Sequence, residues 1–447
     1  MDLFGTAGIR GSATERVTPE LALAVGRAAG ADGGEFVLGR DGRETGGALA
    51  DAMAAGLRSA GADVRRVGVV PTPALAFASR GRRGVMLTAS HNPPEDNGIK
   101  LFDDASEYDA DQEAVIEERV AAEEPPAAWD AWGEAEHVGV LDDYRTAVAA
   151  YAREFGAGLD GLRVAVDCGN GMGSVATPHV LESLGAEVVA LNANVDGHFP
   201  GRPSKPTPET LGDLTNFVAD SDCAFGIAHD GDADRIVVVD ESGEVVHEDT
   251  VLAILAERYV RESGALDPVV VTTPNASARI DERVRAAGGR VERVRLGALH
   301  EGIAAAEAAG GDVVYAAEPW KHIHPGFGGW IDGVASAAVL SRLAAAEGLD
   351  ALRDPVTERP YRKVSVDCPD ERKAAAMDAL ETTIPDAFPD ADIDTEYGVR
   401  AEFPDGSWTL VRPSGTEPYV RVYAEADDVD ALVGDVTELV EGAVANT

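Results

Sequence analysis

Val85-Met86-Leu87-Thr88-Ala89-Ser90-His91-Asn92-Pro93 sets the reading of this chain, because an apolar run passes straight into small polar residues and an Asn-Pro turn. The pattern predicts a short strand whose end displays Ser90, and the carboxyl ends of strands are where α/β proteins place chemistry. Two more segments repeat the theme. Arg163-Val164-Ala165-Val166 leads into Asp167-Cys168-Gly169-Asn170-Gly171-Met172-Gly173 and a helical stretch to Leu184. Pro268-Val269-Val270-Val271 leads into Thr272-Thr273-Pro274-Asn275 and a helix through Arg285. Such alternation gives mixed α/β layers. From residue 355 the pattern changes. A strand from Lys363 to Val366, a helix from Glu371 to Leu380, strands around Trp408 and Val420 and a terminal helix predict a smaller α+β module.

The chain has 447 residues, too many for one hydrophobic core; at roughly 150 residues per domain it divides into about three or four units. Junctions are expected where polar and turn-forming residues gather: after Glu123-Glu124-Pro125-Pro126, at the hairpin closed by Glu241-Ser242-Gly243, and at Asp354-Pro355. The expected domains are 1–135, 136–243, 244–354 and 355–447.

The formal net charge is -41, from 79 acidic against 38 basic side chains, yet 45% of residues are hydrophobic and the acids are spread throughout. This describes a folded protein with an acidic skin. Self-repulsion in such a skin is relieved when salt screens over roughly 3 Å, as at 1 M. A salt-rich, halophilic cytoplasm is therefore expected, and nucleic acid is excluded as a partner. No run of about 18 apolar residues spans a membrane. Met1-Asp2-Leu3-Phe4-Gly5 lacks a secretory pattern, so a cytoplasmic location is expected. Cys168, Cys223 and Cys368 are scattered, without the spacing of a disulfide framework or zinc site. Only five of the basic residues are lysine: Lys100, Lys205, Lys321, Lys363 and Lys373.

Ser90 alone reads more readily as a turn or helix cap, a preference that the aspartate and Arg412 loops reverse; a nucleophilic role needs a metal or base nearby, and adjacent His91 forms no triad by spacing. Asp230, Asp232 and Asp234 alternate just before the apolar Ile236-Val237-Val238-Val239. Crowded hard oxygen ligands suit Mg²⁺ bridging carboxylates to phosphate, and without a cation they repel. A calcium loop fails here because Arg235 stands where it needs glycine. Arg235 beside the metal neutralises phosphate charge. Arg412-Pro413-Ser414-Gly415-Thr416 joins two strand-like runs and offers hydroxyls, amides and a guanidinium, the parts of an oxyanion cradle, with a plain hairpin loop as the equal alternative when it is taken alone. Arg421 belongs either to that site or to the strand surface. Lys100 follows Asn97-Gly98-Ile99, and a lysine pKa lowered by burial suits proton transfer. Together these features read as phosphoryl transfer on a phosphorylated substrate.

Phe4-Gly5-Thr6-Ala7-Gly8-Ile9-Arg10-Gly11, the Ser90 loop, Asp230 to Arg235 and Arg412 to Pro418 together resemble the α-D-phosphohexomutase superfamily, in the family's order along nearly the whole chain. The resemblance implies four domains, three of related α/β fold and a smaller last one around the distal-phosphate loop. It implies a phosphoserine at Ser90, and one Mg²⁺ held by Asp230, Asp232, Asp234 and a phosphoserine oxygen. Lys100 and His91 would assist proton transfer, and Arg10 and Arg235 would line the active site. The implied reaction interconverts the 1- and 6-phosphates of glucose, mannose or a hexosamine, with a hexose 1,6-bisphosphate as intermediate or activator. Phosphoglucosamine or phosphopentose specificity is the alternative, in a monomer or homodimer.

Where the family's sugar-selecting loop reads Gly-Glu-x-Ser-Gly-His or similar, this chain reads Ala317-Glu318-Pro319-Trp320-Lys321-His322. Glu318 and His322 carry over. The stretch Arg295-Leu296-Gly297-Ala298-Leu299-His300 lacks the usual charges after its glycine, and Lys321 is expected to supply the missing cation. Trp320 either packs on sugar or lid, or belongs to the core. The expected substrate contacts are thus Glu318, Lys321, His322, Arg412, Ser414, Gly415, Thr416 and Arg421. Two other classes share parts of this pattern. A metal-dependent phosphatase needs no second phosphate loop, and a non-catalytic sugar-phosphate sensor needs neither Ser90 nor the aspartates.

Overall fold

A computed structural model describes residues 3–5, 8–414 and 417–446. It divides into two compact units: the chain to Glu248 together with Trp320–Leu352, and Asp249–Pro319 together with the chain from Arg353.

In the first unit, buried apolar residues in Glu35–Arg40 and Arg83–Leu87 make the centre of a sheet ordered Ile9–Ser12, Asp96–Asp103, Arg83–Leu87, Glu35–Arg40, Asp63–Val69, Ala135–His137. The pairs inside it are parallel, whereas Asp96–Asp103 runs antiparallel to both Arg83–Leu87 and Ile9–Ser12. That local reversal brings three motifs together. Register sets Arg10 opposite Gly98 and Met86 opposite Lys100, so Arg10, Ser90 and Lys100 gather at one end of the sheet.

A second sheet is ordered Val245–Val246, Ile236–Asp240, Phe225–His229, Arg163–Asp167, Glu187–Leu191. Phe225–His229 and Ile236–Asp240 are buried throughout and pair antiparallel, which makes residues 230–235 the loop of a rigid hairpin. The expected hairpin at Glu241-Ser242-Gly243 is present, with Gly243 at φ 86°. The helical stretch expected up to Leu184 breaks into a 3₁₀ turn, Met172–Val175, and a helix, Thr177–Ser183, with a proline in its first turn, where the missing N–H costs nothing.

Sheet pairing runs past two of the expected boundaries. Ala135–His137 extends the first sheet past 135, and Val245–Val246 extends the second past 243. The span 244–354 is divided between the units because the nearly all-apolar helix Gly333–Glu347 packs against Leu141–Ala152 of the first unit. Tyr144 Oη there donates to Asp332 Oδ1 at 2.8 Å.

The second unit holds parallel strands Arg290–Arg293, Pro268–Thr272 and Asp312–Glu318. Its other part is an antiparallel sheet ordered Tyr361–Asp367, Tyr419–Glu425, Trp408–Pro413, Val399–Glu402, Asp392–Asp394, packed by helices Asp370–Ala387 and Val429–Asn446. The buried pair of Arg279 Nη2 and Glu425 Oε1, 2.7 Å apart, joins the two parts. Among the described residues, no helix is long and apolar enough to cross a membrane.

Candidate active site

Thr88 to Glu95 link Arg83–Leu87 to Asp96–Asp103, and within this loop Ser90 adopts φ 49°, a left-handed conformation that costs a serine energy unless its surroundings impose it. They do. The Ser90 amide donates to Thr88 Oγ1 at 2.9 Å, and Thr88 Oγ1 donates to Asp41 Oδ2 at 2.7 Å. Arg43, fully buried, pairs through Nε with Asp41 Oδ2 at 3.1 Å. Its other nitrogens donate to the carbonyls of Ser90 (2.9 Å), Asn92 (2.7 Å), Asp96 (2.9 Å) and Pro93. One guanidinium thus fixes the path of the serine loop.

Ser90 is buried rather than displayed as the sequence predicted, because the 230–235 hairpin covers the strand end. Its hydroxyl donates to Asp230 Oδ2 at 2.7 Å and lies 3.3 Å from His91 Nδ1. Gly231 permits this approach: a Cβ there would sit 2.5 Å from the Ser90 carbonyl oxygen.

The three aspartates are buried, with one carboxylate oxygen from each lying within 4.8 Å of the others. Burial pushes the Asp230 carboxyl well above its usual range, and Asp234 and Asp232 push the same way. Burial also opposes the Asp234 charge, but Lys100, Arg235, Lys321 and Arg10 outweigh it and hold that carboxyl below the usual range. Asp232 Oδ1 and Asp234 Oδ1 are buried without a hydrogen-bond partner. Three clustered hard carboxylates, two of them with a buried oxygen that lacks a hydrogen-bond partner, are what a divalent cation satisfies, so the residues fit a metal site.

Cations ring this cluster. Lys100 Nζ lies 3.1 Å from Asp234 Oδ2 and 3.3 Å from Glu107 Oε1. Burial acts to lower the lysine pKa, as the sequence argument supposed, but Glu107, Asp234 and Asp232 outweigh it and raise the pKa. Lys100 is therefore an ammonium, not a lowered-pKa base. Arg235 Nε lies 3.7 Å from both Asp230 Oδ2 and Asp234 Oδ1. Arg10 Nε is buried without a hydrogen-bond partner. The His91 pKa is pushed down to about 2, first by burial and then by Arg235 and Arg10, so the ring is neutral.

Lys321 pairs through its backbone with Arg235, and its charge favours ionised Asp234. Trp320, half-buried, packs against the apolar core of the second sheet. His322 is buried, its Nδ1 3.0 Å from Ser336 Oγ.

The remaining expected residues lie in the second unit. Glu318 Oε1 accepts from the Gly297 amide at 2.6 Å, tying the selecting-loop glutamate to the Gly297 loop. Arg412 Nη2 lies 3.3 Å from Tyr423 Oη, while Arg412 Nε and the buried Ser414 Oγ have no partner and suit an oxyanion. Arg421 pairs with Glu417 at 2.8 Å. Lys373 Nζ donates to the carbonyls of Ser414 (2.7 Å) and Glu417 (2.6 Å), so it braces both shoulders of the loop. Gly415 and Thr416 lie outside the described residues.

The family profiles Phosphoglucomutase/phosphomannomutase alpha/beta/alpha domain I, alpha/beta/alpha domain II and C-terminal domain match residues 1–127, 142–243 and 364–441. A phosphopentomutase from Thermococcus kodakarensis is 44% identical over 95% of this chain and 94% of its own length. A probable phosphoglucosamine mutase from Methanopyrus kandleri is also 44% identical, with the same coverage of 95% and 94%. The crystal structure of a phosphoglucomutase/phosphomannomutase family protein from Burkholderia thailandensis superposes with a TM-score of 0.87 at 26% identity, covering 99% of this chain and 97% of that one. The chain belongs to the α-D-phosphohexomutase superfamily. It is a phosphosugar mutase, an isomerase.

Proposed function

We propose that this enzyme moves a phosphoryl group between the anomeric and terminal hydroxyls of a sugar phosphate through phospho-Ser90 and a sugar bisphosphate. The observation that carries the reading is the 2.7 Å contact between Ser90 Oγ and Asp230 within three buried carboxylates ringed by Lys100, Arg235 and Arg10. Mg²⁺ bound by Asp230, Asp232, Asp234 and a seryl phosphate oxygen would supply positive charge against the phosphoryl oxygens.

Phospho-Ser90 gives its phosphoryl group to the free hydroxyl of a bound monophosphate: the new P–O bond forms, the seryl P–O bond breaks, and the proton lost by the hydroxyl is balanced by the one Ser90 Oγ takes up, with His91 beside it to relay the proton. The resulting bisphosphate turns around, and its opposite phosphate returns to Ser90. Lys100 and Arg235, already charged, face the transferring group and stabilise its oxygens without reorganising. His91, whose Nδ1 lies 3.3 Å from Ser90 Oγ, is the side chain placed to exchange a proton with it; burial first and the arginine fields second hold its basicity down, and an arriving phosphate would offset the arginine part. Arg412, Ser414, Gly415 and Thr416 grip the non-reacting phosphate, and Arg421 orders Glu417 beside them. Glu318, held against Gly297, contacts sugar hydroxyls, and Lys321 and His322 complete the selecting loop, Lys321 as its cation.

The relatives' names bring glucosamine and pentose phosphates ahead of glucose and mannose as substrates. A panel of 1-phosphates and terminal phosphates of these four sugars, assayed with Mg²⁺ in high salt, tests the proposal. Isomerisation of one pair at least tenfold faster than the others identifies the substrate, and release of inorganic phosphate in place of isomerisation refutes the reading.

A further inference from the structure

Each metal-loop aspartate has one oxygen tied to the first domain. Ser90 holds Asp230 Oδ2 at 2.7 Å and Lys100 holds Asp234 Oδ2 at 3.1 Å. The third tie comes from Thr72, whose hydroxyl donates to Asp232 Oδ2 at 2.6 Å and whose amide donates to the Asp232 carbonyl at 3.1 Å. Thr72 is buried, and so is Asp232. Its setting is stiff: Pro71 precedes it, Pro73 follows it, and the Val70 amide donates to the Arg40 carbonyl at 3.0 Å, which ties this turn to the central strand of the first sheet.

With Oδ2 engaged, Asp232 is left with Oδ1, which is buried and without a hydrogen-bond partner in the same cluster as Asp230 and Asp234. We infer that Thr72 is a positioning residue for the metal: it turns the bare oxygen of Asp232 toward the cation and makes the second-sheet hairpin competent to bind metal only while the first domain is docked on it. The hydroxyl acts as an outer partner of the kind that orients a ligating carboxylate. This rests on the metal reading proposed above.

The test measures Mn²⁺ binding by electron paramagnetic resonance on purified full-length protein without sugar phosphate, for Thr72→Val, Thr72→Ser and Asp232→Asn. Thr72→Val keeps the shape and the amide bond but removes the hydroxyl; loss of a partner of this type weakens metal binding by about 10- to 100-fold. Thr72→Ser retains the donor and is expected within about threefold of wild type. Thr72→Ala replaces the valine variant if circular dichroism shows that the latter does not fold. Affinity in Thr72→Val within about threefold of wild type, or loss in Thr72→Ser equal to that in Thr72→Val, overturns the inference. Wild-type Mn²⁺ binding by Asp232→Asn instead overturns the metal reading on which it stands.

Discussion

Replacing Arg43 with methionine should release the serine loop while leaving the rest of the first unit folded. Methionine fills much of the same volume but makes none of the bonds to Asp41 or to the carbonyls of Ser90, Asn92, Pro93 and Asp96. Removing one partner of a buried ion pair costs about 3–5 kcal/mol, because the other charge is left without compensation. Burial already raises the Asp41 pKa against the pull of Arg43, so Asp41 takes up a proton in the variant and relieves part of this cost. The lower figure, about 3 kcal/mol, corresponds to roughly 100-fold faster exchange of amides whose opening is local. Hydrogen exchange read by mass spectrometry on peptides covering residues 88–96 measures it directly, through the Ser90 and Asn92 amides, bonded at 2.9 and 3.0 Å. Peptides from the terminal helix should not change. The double variant Asp41→Asn/Arg43→Met should lose less than the sum of the single changes, because no buried charge is stranded. Protection of residues 88–96 within about threefold of wild type in Arg43→Met would refute this account of the loop.

Gly231→Ala should lower mutase turnover by tenfold or more without altering circular dichroism, since its methyl group would force apart the Ser90 carbonyl, 2.5 Å away, and the metal hairpin. Lys100→Met strands the Asp234 and Glu107 carboxylates and removes a cation facing the phosphoryl group, so kcat should fall at least about 100-fold; an unchanged kcat contradicts the assignment. His322 and His324 both have native pKa values pushed down to about 3, first by burial, from an ordinary value of 6.5. The native state therefore binds fewer protons than the unfolded chain between these limits, and stability present above pH 6.5 is lost as pH falls toward 3. At pH 5 each histidine costs about 2 kcal/mol. Urea unfolding at pH 7 and pH 5 should show a drop that shrinks when both are replaced by glutamine; an equal drop contradicts the burial argument. Lys321→Ala should raise KM for the sugar phosphate, and an unchanged KM would remove Lys321 from the substrate site.

The sequence displayed what is local. Apolar runs ending in small polar loops marked the strands at Arg83–Leu87, Arg163–Asp167 and Pro268–Thr272, and the alternating aspartates marked the hairpin whose clustered carboxylates fit a metal site. What it hid depends on contacts distant along the chain. Arg43 and Asp41 lie nearly 50 residues before the loop they fix, and Thr72 lies 160 before its aspartate, with no spacing rule to connect them. The composition held one usable signal, the scarcity of lysine. Lys100 and Lys321 reach the charged cluster, and Lys373 braces the Ser414 loop. The Lys100 pKa was misread because burial is visible as an apolar context, whereas Glu107 and Asp234 converge on the ammonium only in three dimensions.

The central claim is that one seryl oxygen accepts and returns the phosphoryl group. Phosphorus nuclear magnetic resonance of wild type and Ser90→Ala, given each sugar phosphate with Mg²⁺ and a trace of its bisphosphate, tests it most directly when paired with peptide mass spectrometry of the wild type. The account predicts that the sugar resonance moves between terminal and anomeric positions without inorganic phosphate, that Ser90 carries a phosphate, and that Ser90→Ala does neither. Isomerisation at the wild-type rate by Ser90→Ala, or no movement of phosphate on any sugar by the wild type, would contradict it.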